Sequence, residues 1–233
     1  MMIKRAMVLA AGLGLRMRPI TLTTPKPLVS VAGRTMLDRA LDHLALAGVQ
    51  ELAVNTHWLA DSVREHLADR SDISLSHEDV LLETGGGVAK ALPLLGHEPF
   101  YVVNSDIIWT DGETPALVRL AQTWNSADMD ALLLLQPIST AVGYAGKGDF
   151  FINADDTLRR RGEADSAPLL FSGVQILHPR LFEGCPAGAF SLNLLYDRAL
   201  SERRLFGLVH DGGWYHVGTP DALPEVEALL GGK

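Results

Sequence analysis

Two glycines and two basic residues near the N-terminus could together bind a phosphate group. Gly12 and Gly14 follow a short apolar run that ends in Ala11. Arg16 and Lys26 come next, on an irregular stretch of the chain. Backbone amides can approach an anion closely only where side chains are absent, and a strand that opens into Gly-x-Gly supplies such amides. The pattern therefore predicts a phosphate-binding loop with two cationic side chains.

Two familiar phosphate-binding loops do not match this stretch. A dinucleotide fingerprint needs a third glycine and an immediate helix, but Met17 occupies that position and Pro19 blocks helix continuation. A P-loop needs Gly-Lys-Ser/Thr, whereas Leu15 and Arg16 follow the second glycine. What remains is a long loop, and loops of this length inside a compact domain are usually functional or disordered. The alternative is a surface loop with solvated cations.

The charge of the chain is unevenly distributed. The 233 residues carry a net charge of -8, but residues 1–34 hold six basic residues and no acid, so the remainder carries -14. An acidic chain is a poor match for a general nucleic-acid-binding protein. The local positive charge instead indicates a small anion site, and the acidic remainder would repel an anion that is not accompanied by a cation. The six basic residues are Lys4, Arg5, Arg16, Arg18, Lys26 and Arg34.

Composition sets further bounds. With 47% hydrophobic and 21% charged residues, the chain has the composition of a globular protein and not of a disordered one. Its single cysteine, Cys185, allows no internal disulfide and no cysteine zinc site. No apolar run approaches the ~18 residues that a membrane span needs. We therefore expect a cytoplasmic protein with neither a membrane nor a nucleic acid as partner.

One acid follows a strongly apolar run. Asp106 comes just after Phe100–Val103, separated from it by Asn104 and Ser105. Ligands of open α/β sheets bind beyond the carboxyl ends of the strands. Mg²⁺ prefers carboxylate and phosphate oxygens and keeps several waters, so one carboxylate together with a bound phosphate group suffices to hold it. Asp106 is therefore the expected Mg²⁺ ligand, and the alternative is a solvated strand end.

A second acidic segment precedes three consecutive glycines. Glu78 lies five residues before Glu83, and Thr84 then leads into Gly85–Gly87. The glycines before Val88–Leu92 predict a loop that turns into a helix, and such a loop lets a flat base lie against the backbone. The alternative is an ordinary helix N-terminus, where the helix dipole favours acids.

The elements that must position these residues alternate between strand and helix up to Pro137, after which the pattern becomes α+β. This order favours an α/β fold with a mostly parallel sheet covered by helices. Strands are predicted at Ala6–Leu9, Leu52–Val54, Phe100–Val103, Ala131–Leu135 and Leu169–Leu177, and a hairpin at 150–159. Helices are predicted near 37–47, 59–67, 116–124, 192–200 and 222–230.

The run L-A-A-G-L-G-L-R-M-R-P at 9–19, followed by P-K-P at 25–27, resembles the signature of the sugar-phosphate nucleotidyltransferases. Members of this family join a nucleoside triphosphate to a sugar 1-phosphate and release pyrophosphate. The resemblance implies a Rossmann-like fold, with a mixed, mostly parallel sheet and an inserted α+β sugar-binding part. It further implies a single domain, 1–233, in which nucleotide binding ends at about 137 and sugar binding begins at about 138.

The resemblance also assigns roles to individual residues. It implies that the amides near Gly12 and Gly14 bind the phosphates, that Arg16 binds the β- and γ-phosphates, and that Lys26 lies near the reacting α-phosphate. Arg16, Lys26 and Asp106 are then the expected catalytic residues, and Glu78 takes the position of a base-reading side chain. The expected nucleotide-binding residues are Ala11, Gly12, Gly14, Glu78, Glu83, Thr84 and Gly85.

On the sugar side, the resemblance implies a sugar 1-phosphate site at Gly146–Phe150 and Phe171–Val174. Lys147 could neutralise the sugar phosphate, or it could be an ordinary solvated lysine. The expected sugar-phosphate-binding residues are Lys147, Gly148, Asp149, Ser172 and Gly173.

One position departs from the family pattern in a way that affects the metal. Family members read W-x-D-V-G-T, with an Asp that is often a second metal ligand, whereas this chain has His216 there. Imidazole is a poor ligand for Mg²⁺, which prefers hard oxygens. His216 is therefore a second metal ligand, a contact to phosphate or sugar, or a structural residue, and the number of Mg²⁺ ions stays open.

Within the family, four segments resemble the bacterial members that transfer UMP from UTP to N-acetylmuramate 1-phosphate in cell-wall sugar recycling: Leu82–Gly87, Gly146–Phe150, Phe171–Val174 and His178–Cys185. The nearest alternative is GMP transfer to mannose 1-phosphate, because a carboxylate at Glu78 accepts a hydrogen bond from uracil or from guanine. Two other classes stay open. One is a dinucleotide-dependent oxidoreductase, which the missing third glycine and Pro19 disfavour. The other is a catalytically silent nucleotide sensor, for which the only hints are His216 and Ser105, the latter at a position where the family usually has glycine.

Overall fold

The computed structural model describes residues 2–231, which form fourteen strands and six helices. The strands are β1 (Arg5–Leu9), β2 (Ser30–Val31), β3 (Arg34–Thr35), β4 (Glu51–Thr56), β5 (Ile73–His77), β6 (Phe100–Asn104), β7 (Ile107–Thr110), β8 (Ala131–Pro137), β9 (Ala141–Val142), β10 (Phe150–Ile152), β11 (Leu158–Arg160), β12 (Leu169–Leu177), β13 (Leu205–Val209) and β14 (Gly213–His216). The helices are α1 (Met36–Leu46), α2 (Ala60–His66), α3 (Glu83–Leu95), α4 (Ala116–Thr123), α5 (Leu192–Ser201) and α6 (Ala222–Gly231).

Within the described residues, nine strands form one mixed sheet. Its main path runs β11-β10-β12-β6-β1-β4-β5, and β8 extends it by pairing with β12 on one side and β13 on the other. The β6-β1-β4-β5 half is entirely parallel, whereas β12 lies antiparallel to both β6 and β8. The predicted α/β fold with a mixed sheet and covering helices is confirmed. Strands β12 and β13 come from the second half of the chain, so both halves contribute to one sheet.

Two apolar cores, one on each face, hold the helices against this sheet. One core joins α1 and α4 to the sheet through residues such as Leu41 and Leu120. The other joins α3 and α5 through residues such as Leu95 and Leu195. Strands in this position are buried on both sides, which explains why β1, β6 and β8 are almost continuously apolar in sequence. A smaller third core packs α6 under the separate sheet β7-β14-β9.

The parallel half of the sheet brings four chain segments to one edge. Because β6, β1, β4 and β5 run in the same direction, their carboxyl ends lie side by side. The glycine loop follows β1, Asn55 lies near the end of β4, Glu78 follows β5 and Asp106 follows β6. The fold thus places the glycine loop, Glu78 and Asp106, which the sequence singled out, along one line of strand ends together with Asn55, which it did not.

The predicted loop at Gly85–Gly87 is wrong, because α3 begins at Glu83 and contains all three glycines. Their role is close packing. A Cβ atom at Gly86 would overlap the carbonyl oxygen of Gly188, and one at Gly87 would lie 2.8 Å from a carboxylate oxygen of Glu78. The glycines therefore let the helix pack closely against both the segment around Gly188 and the side chain of Glu78.

No helix within residues 2–231 is both long enough and apolar enough to span a membrane.

We predict that Gly86→Ala destabilises the fold, because the added methyl group has no room beside the Gly188 carbonyl. Overpacking of this kind typically costs about 1–3 kcal/mol in the free energy of unfolding. Urea unfolding followed by circular dichroism measures it. The matched control is Gly231→Ala, where no heavy atom lies within 4 Å of the added Cβ. An unchanged unfolding midpoint in Gly86→Ala would contradict the prediction, because it would show that the segment around Gly188 can move away from the added methyl group without loss of stability.

Candidate functional site

A cleft of about 240 Å³ opens along the shared edge of the strand ends. It brings together seven of the residues that the sequence singled out for catalysis, metal binding or nucleotide binding. These are Ala11, Gly12, Lys26, Glu78, Glu83, Thr84 and Asp106. The remaining wall consists of Leu9, Ala10, Pro27, Asn55, Leu81, Asn104 and Ser105.

An ion pair between Lys26 and Asp106 occupies one end of this cleft. The Lys26 Nζ donates a hydrogen bond to Asp106 Oδ2 at 2.8 Å, and the side chains are 11% and 37% exposed. Burial by itself raises the pKa of Asp106, but the charge and hydrogen bond of Lys26, together with the charge of Arg16, bring that pKa below its ordinary value. Asp106 is therefore an ionised carboxylate at neutral pH.

The glycine loop is held in place by hydrogen bonds behind it. Gly14 adopts a left-handed conformation with φ 61°, and a Cβ there would lie 2.9 Å from the Thr21 side chain and 3.2 Å from that of Lys26. Thr21 Oγ1 donates to the Gly14 carbonyl at 2.7 Å, and Trp58 Nε1 donates to the Thr21 carbonyl at 2.9 Å. The loop therefore presses directly against Lys26, and only glycine fits at position 14.

Gly12 and Arg16 face outward from the same loop. Gly12 is exposed, and no heavy atom lies within 4 Å of the position of its missing Cβ. Arg16 is exposed, and its guanidinium makes no hydrogen bond or ion pair with any residue in the range 2–231. Its charge is nevertheless close enough to help lower the pKa of Asp106. Both residues are thus open to an anion that enters the cleft.

A buried hydrogen-bond chain links three of the strand ends. The Ala10 amide donates to Asn55 Oδ1 at 2.7 Å, and Asn55 Nδ2 donates to Glu78 Oε1 at 2.7 Å. The Leu82 amide donates to Glu78 Oε2 at 2.9 Å. Glu78 belongs to the cleft wall but is only 1% exposed, and both of its oxygens already accept hydrogen bonds. The sequence patterns did not indicate Asn55, whose only signal is a polar residue at the end of an apolar strand.

The start of α3 is tied to the second half of the chain. The Gly85 amide donates to the Phe190 carbonyl at 2.8 Å, and Thr84 Oγ1 accepts from the Leu192 amide at 3.0 Å. Thr84 lines the cleft, whereas Gly85 is not among the residues that line it. Glu83 lies at the rim with its side chain exposed and its backbone at φ 58°.

A second pocket of about 200 Å³ meets the first at Asp106 and Asn104. Two of the predicted sugar-phosphate-binding residues, Ser172 and Gly173, line it. They lie where β12 shifts its register against β8 between Phe171 and Gln175. Its other lining residues are Ile107, Tyr144, Leu170, Phe171, Trp214 and His216. Asp106 therefore lies at the junction of the two pockets.

The other three residues predicted for the sugar phosphate lie outside both pockets. Lys147 is exposed, and the Gly148 amide donates to the hydroxyl of Tyr144 at 3.0 Å. Asp149 Oδ2 accepts a hydrogen bond from the Phe171 amide at 2.9 Å. Gly148 and Asp149 thus support residues that line the second pocket, and their contact with a sugar phosphate stays a prediction.

His216 faces the second pocket as a neutral imidazole. Burial lowers its pKa, and the opposing effect of Asp106 does not restore the ordinary value. Its ring stacks on Trp214 at a centroid distance of 6.0 Å, and its Nδ1 lies 3.3 Å from the Gly143 carbonyl oxygen. Nitrogen at this position suits Mg²⁺ poorly.

The donor set at the junction fits a magnesium ion that also binds phosphate. Residues 2–231 hold no cluster of three or more His, Cys, Asp or Glu side chains able to enclose a metal. Lys26 engages only one carboxylate oxygen of Asp106, and Asp106 lines both pockets. Mg²⁺ is commonly held by one or two carboxylates, with substrate phosphates and water completing its shell.

The sequence matches one protein family and is similar to several known proteins. A family model described as "Nucleotidyl transferase" matches residues 5–146. The chain is 41% identical to N-acetylmuramate alpha-1-phosphate uridylyltransferase of Caulobacter vibrioides over 97% of both chains. It is 38% identical to the Neisseria meningitidis protein of the same name over 97% of this chain and 98% of that one.

Other relatives are more distant. The chain is 28% identical to mannose-1-phosphate guanylyltransferase catalytic subunit beta of Drosophila pseudoobscura, over 93% of this chain but 59% of the relative. Among solved structures, a putative glucose-1-phosphate thymidylyltransferase from Bacillus anthracis superposes with a TM-score of 0.82 at 17% identity, covering 97% of this chain and 94% of that one. At that identity the likeness concerns the fold alone.

We predict that Glu78→Gln destabilises the protein. Glu78 accepts hydrogen bonds on both oxygens, so the amide group of glutamine would direct a donor at another donor, either Asn55 Nδ2 or the Leu82 amide. A buried polar group left without a partner costs about 1–3 kcal/mol, which urea unfolding measures. The control is Glu65→Gln at an exposed position, with an expected change within about 0.5 kcal/mol. Equal stability of the two variants would refute the buried network.

Proposed function

This chain belongs to the nucleotidyl transferase family, and we propose that it transfers a uridylyl group from UTP to N-acetylmuramate 1-phosphate and releases pyrophosphate. The observation that carries the proposal is the position of Lys26 and Asp106 where the two pockets meet. The choice of substrates is supported by the names of the relatives that are 41% and 38% identical over nearly the full chain.

The reaction is an in-line substitution at phosphorus. A lone pair on a phosphate oxygen of the sugar forms a bond to the α-phosphorus, while the bond from that phosphorus to the oxygen bridging to the β-phosphate breaks. Pyrophosphate leaves with the electron pair of that bond. The attacking phosphate is already ionised near neutral pH, so the protein needs no general base. Catalysis then consists of positioning the two substrates and stabilising negative charge.

Different residues of the cleft would bind different phosphates of the nucleotide. Lys26 lies nearly buried at the junction, where its ammonium group would bind the α-phosphate and offset charge that develops there. Arg16 and the backbone around Gly12 would bind the β- and γ-phosphates, which become the leaving group. The Ser105 hydroxyl donates to the Leu9 carbonyl at 2.6 Å and fixes the turn that presents Asp106.

We propose that Mg²⁺ binds at Asp106 together with the nucleotide phosphates. When bound, the ion would withdraw negative charge from the phosphates and thereby assist departure of pyrophosphate. Asp106 is ionised and open to both pockets, as this role requires. His216, as a neutral imidazole, would contact the sugar or its phosphate instead of the metal.

The second pocket has the chemical character of a sugar site. Tyr144 packs edge-on against Trp214 at a ring-centroid distance of 6.3 Å, and both line the pocket. Aromatic faces of this kind suit the apolar face of a sugar ring. We accordingly assign nucleotide binding to about residues 1–137 and sugar binding to about 138–233. The proposed substrates would place the enzyme in the cytoplasm, in the recycling of cell-wall sugars.

GMP transfer to mannose 1-phosphate is the second candidate, favoured by the 28% identity to the guanylyltransferase subunit. A substrate panel separates the two. The protein is mixed with each nucleoside triphosphate, Mg²⁺ and either sugar 1-phosphate, and pyrophosphate is measured. We expect release with UTP and N-acetylmuramate 1-phosphate. Release only with GTP and mannose 1-phosphate would select the second candidate, and none with any pair would favour a nucleotide sensor.

We predict that Lys26→Ala and Asp106→Ala each lower the rate of pyrophosphate release by about 10²–10³, the usual effect of removing one group that stabilises transition-state charge. Lys4→Ala, at an exposed position before β1, is the matched control and keeps the wild-type rate. Circular dichroism confirms that each variant is folded. A folded Lys26→Ala variant with near-normal release would remove Lys26 from the mechanism.

We predict that a chelator abolishes pyrophosphate release and that Mg²⁺ restores it.

We further predict that His216→Asp lowers the Mg²⁺ concentration at half-maximal rate by about tenfold, because it adds a hard anionic oxygen beside Asp106. His216→Asn, which lacks the charge, is the control. If both variants require the wild-type Mg²⁺ concentration, position 216 lies too far from the ion to matter.

A further inference from the structure

The cleft has two chemically different ends. The strand order β6-β1-β4-β5 places Asp106, the glycine loop, Asn55 and Glu78 in sequence along the sheet edge. Neighbouring strands lie about 4.8 Å apart, so the ends of β6 and β5 are separated by about 14 Å. Lys26 lines the cleft and is paired with Asp106, and the charge of Arg16 also acts on the Asp106 carboxylate, so the positive charge belongs to the Asp106 end. Phosphates therefore occupy that end, and the base of a bound nucleotide extends toward the segment that follows β5.

Glu78 cannot be the free acceptor at the base end. It is 1% exposed, and its two oxygens already accept from Asn55 and Leu82. Any hydrogen bond to a base that depended on Glu78 would have to compete with this buried network.

Glu83 has the opposite character. It lines the same end of the cleft, its side chain is exposed, and its carboxylate makes no hydrogen bond or ion pair with any residue in the range 2–231. Its backbone lies at φ 58°, in the left-handed region that a residue with a side chain enters only at a cost. The dipole of α3 favours an acid in this turn, but it does not explain a residue with a side chain at a position whose backbone conformation favours glycine.

We propose that the Glu83 carboxylate selects uracil over cytosine by accepting a hydrogen bond from the base N3–H. This inference rests on the proposed function, since it concerns the nucleotide of that reaction. Uracil carries a proton on N3, whereas cytosine presents a lone pair at the same position. A carboxylate attracts the first and repels the second, so one side chain supplies both recognition and rejection.

Two substitutions of Glu83 test the proposal. Glu83→Gln replaces one carboxylate oxygen by an N–H donor, which can pair with cytosine N3. We expect the ratio of kcat/KM for UTP to that for CTP to fall by about tenfold or more, the loss typical of a hydrogen bond to a charged group. Glu83→Gly removes the side chain and the backbone strain together. It should weaken UTP binding while Tm rises by about 2 °C.

Asp79→Asn is the matched control. Asp79 belongs to the same segment, its side chain is 91% exposed, and it is not among the residues that line the cleft. Its UTP to CTP ratio should stay at the wild-type value. An unchanged ratio in Glu83→Gln would overturn the proposal. An equal loss of kcat/KM for UTP and for CTP would also overturn it, because Glu83 would then contact the ribose. A lower Tm in Glu83→Gly would overturn it as well, because the role of Glu83 would then be structural.

Calorimetric binding of UTP and CTP, without a sugar phosphate, keeps this test separate from the proposed reaction. If the wild-type protein binds UTP but forms no product with any sugar 1-phosphate, the proposed function fails. The preference for UTP over CTP, and its loss in Glu83→Gln, would still be measurable as a ratio of Kd values.

Discussion

The rest of the site depends on one ion pair, between Lys26 and Asp106 at 2.8 Å. Its partners come from segments eighty residues apart in sequence, and they meet because β1 and β6 are neighbouring parallel strands. A nearly buried ammonium group next to a carboxylate is stable only while the two remain paired or a ligand replaces one partner. An entering phosphate offers such a replacement for Lys26, and a metal ion offers one for Asp106. Lys26 thus places a positive charge where a phosphate would bind, and Asp106 places a negative charge where a metal ion would bind.

The sequence predicted the parts of the fold that rest on local signals. Strands β1, β6 and β8 are buried on both faces and therefore appear as unbroken apolar runs, and α1 has a clear helical periodicity. Strand β5 at the sheet edge has only one buried residue among its five, so its apolar pattern is too weak to identify. The start of α3 was wrong for a different reason. Glycine disfavours helices intrinsically, but close packing against the segment around Gly188 overrides that preference.

For the site, residue type could be predicted but not side-chain environment. Lys26 and Asp106 belong to motifs whose chemistry is fixed by the residues themselves, and the structure places both in the cleft. Glu78 and Glu83 are chemically identical, and no local pattern shows that one is buried in a hydrogen-bond chain with Asn55 while the other is exposed at the rim. That distinction arises from tertiary packing, which also makes Asn55 important although it belongs to no motif.

The central claim is that a nucleotide lies along the strand ends, with its phosphates at Lys26 and its base beyond β5. A crystal structure with Mg²⁺ and a non-hydrolysable UTP analogue tests this most directly. We predict the α-phosphate within hydrogen-bond distance of Lys26 Nζ, the ion on Asp106, and the uracil beside Leu81 and Glu83. A uracil stacked on Trp214 and Tyr144 in the second pocket would contradict the account.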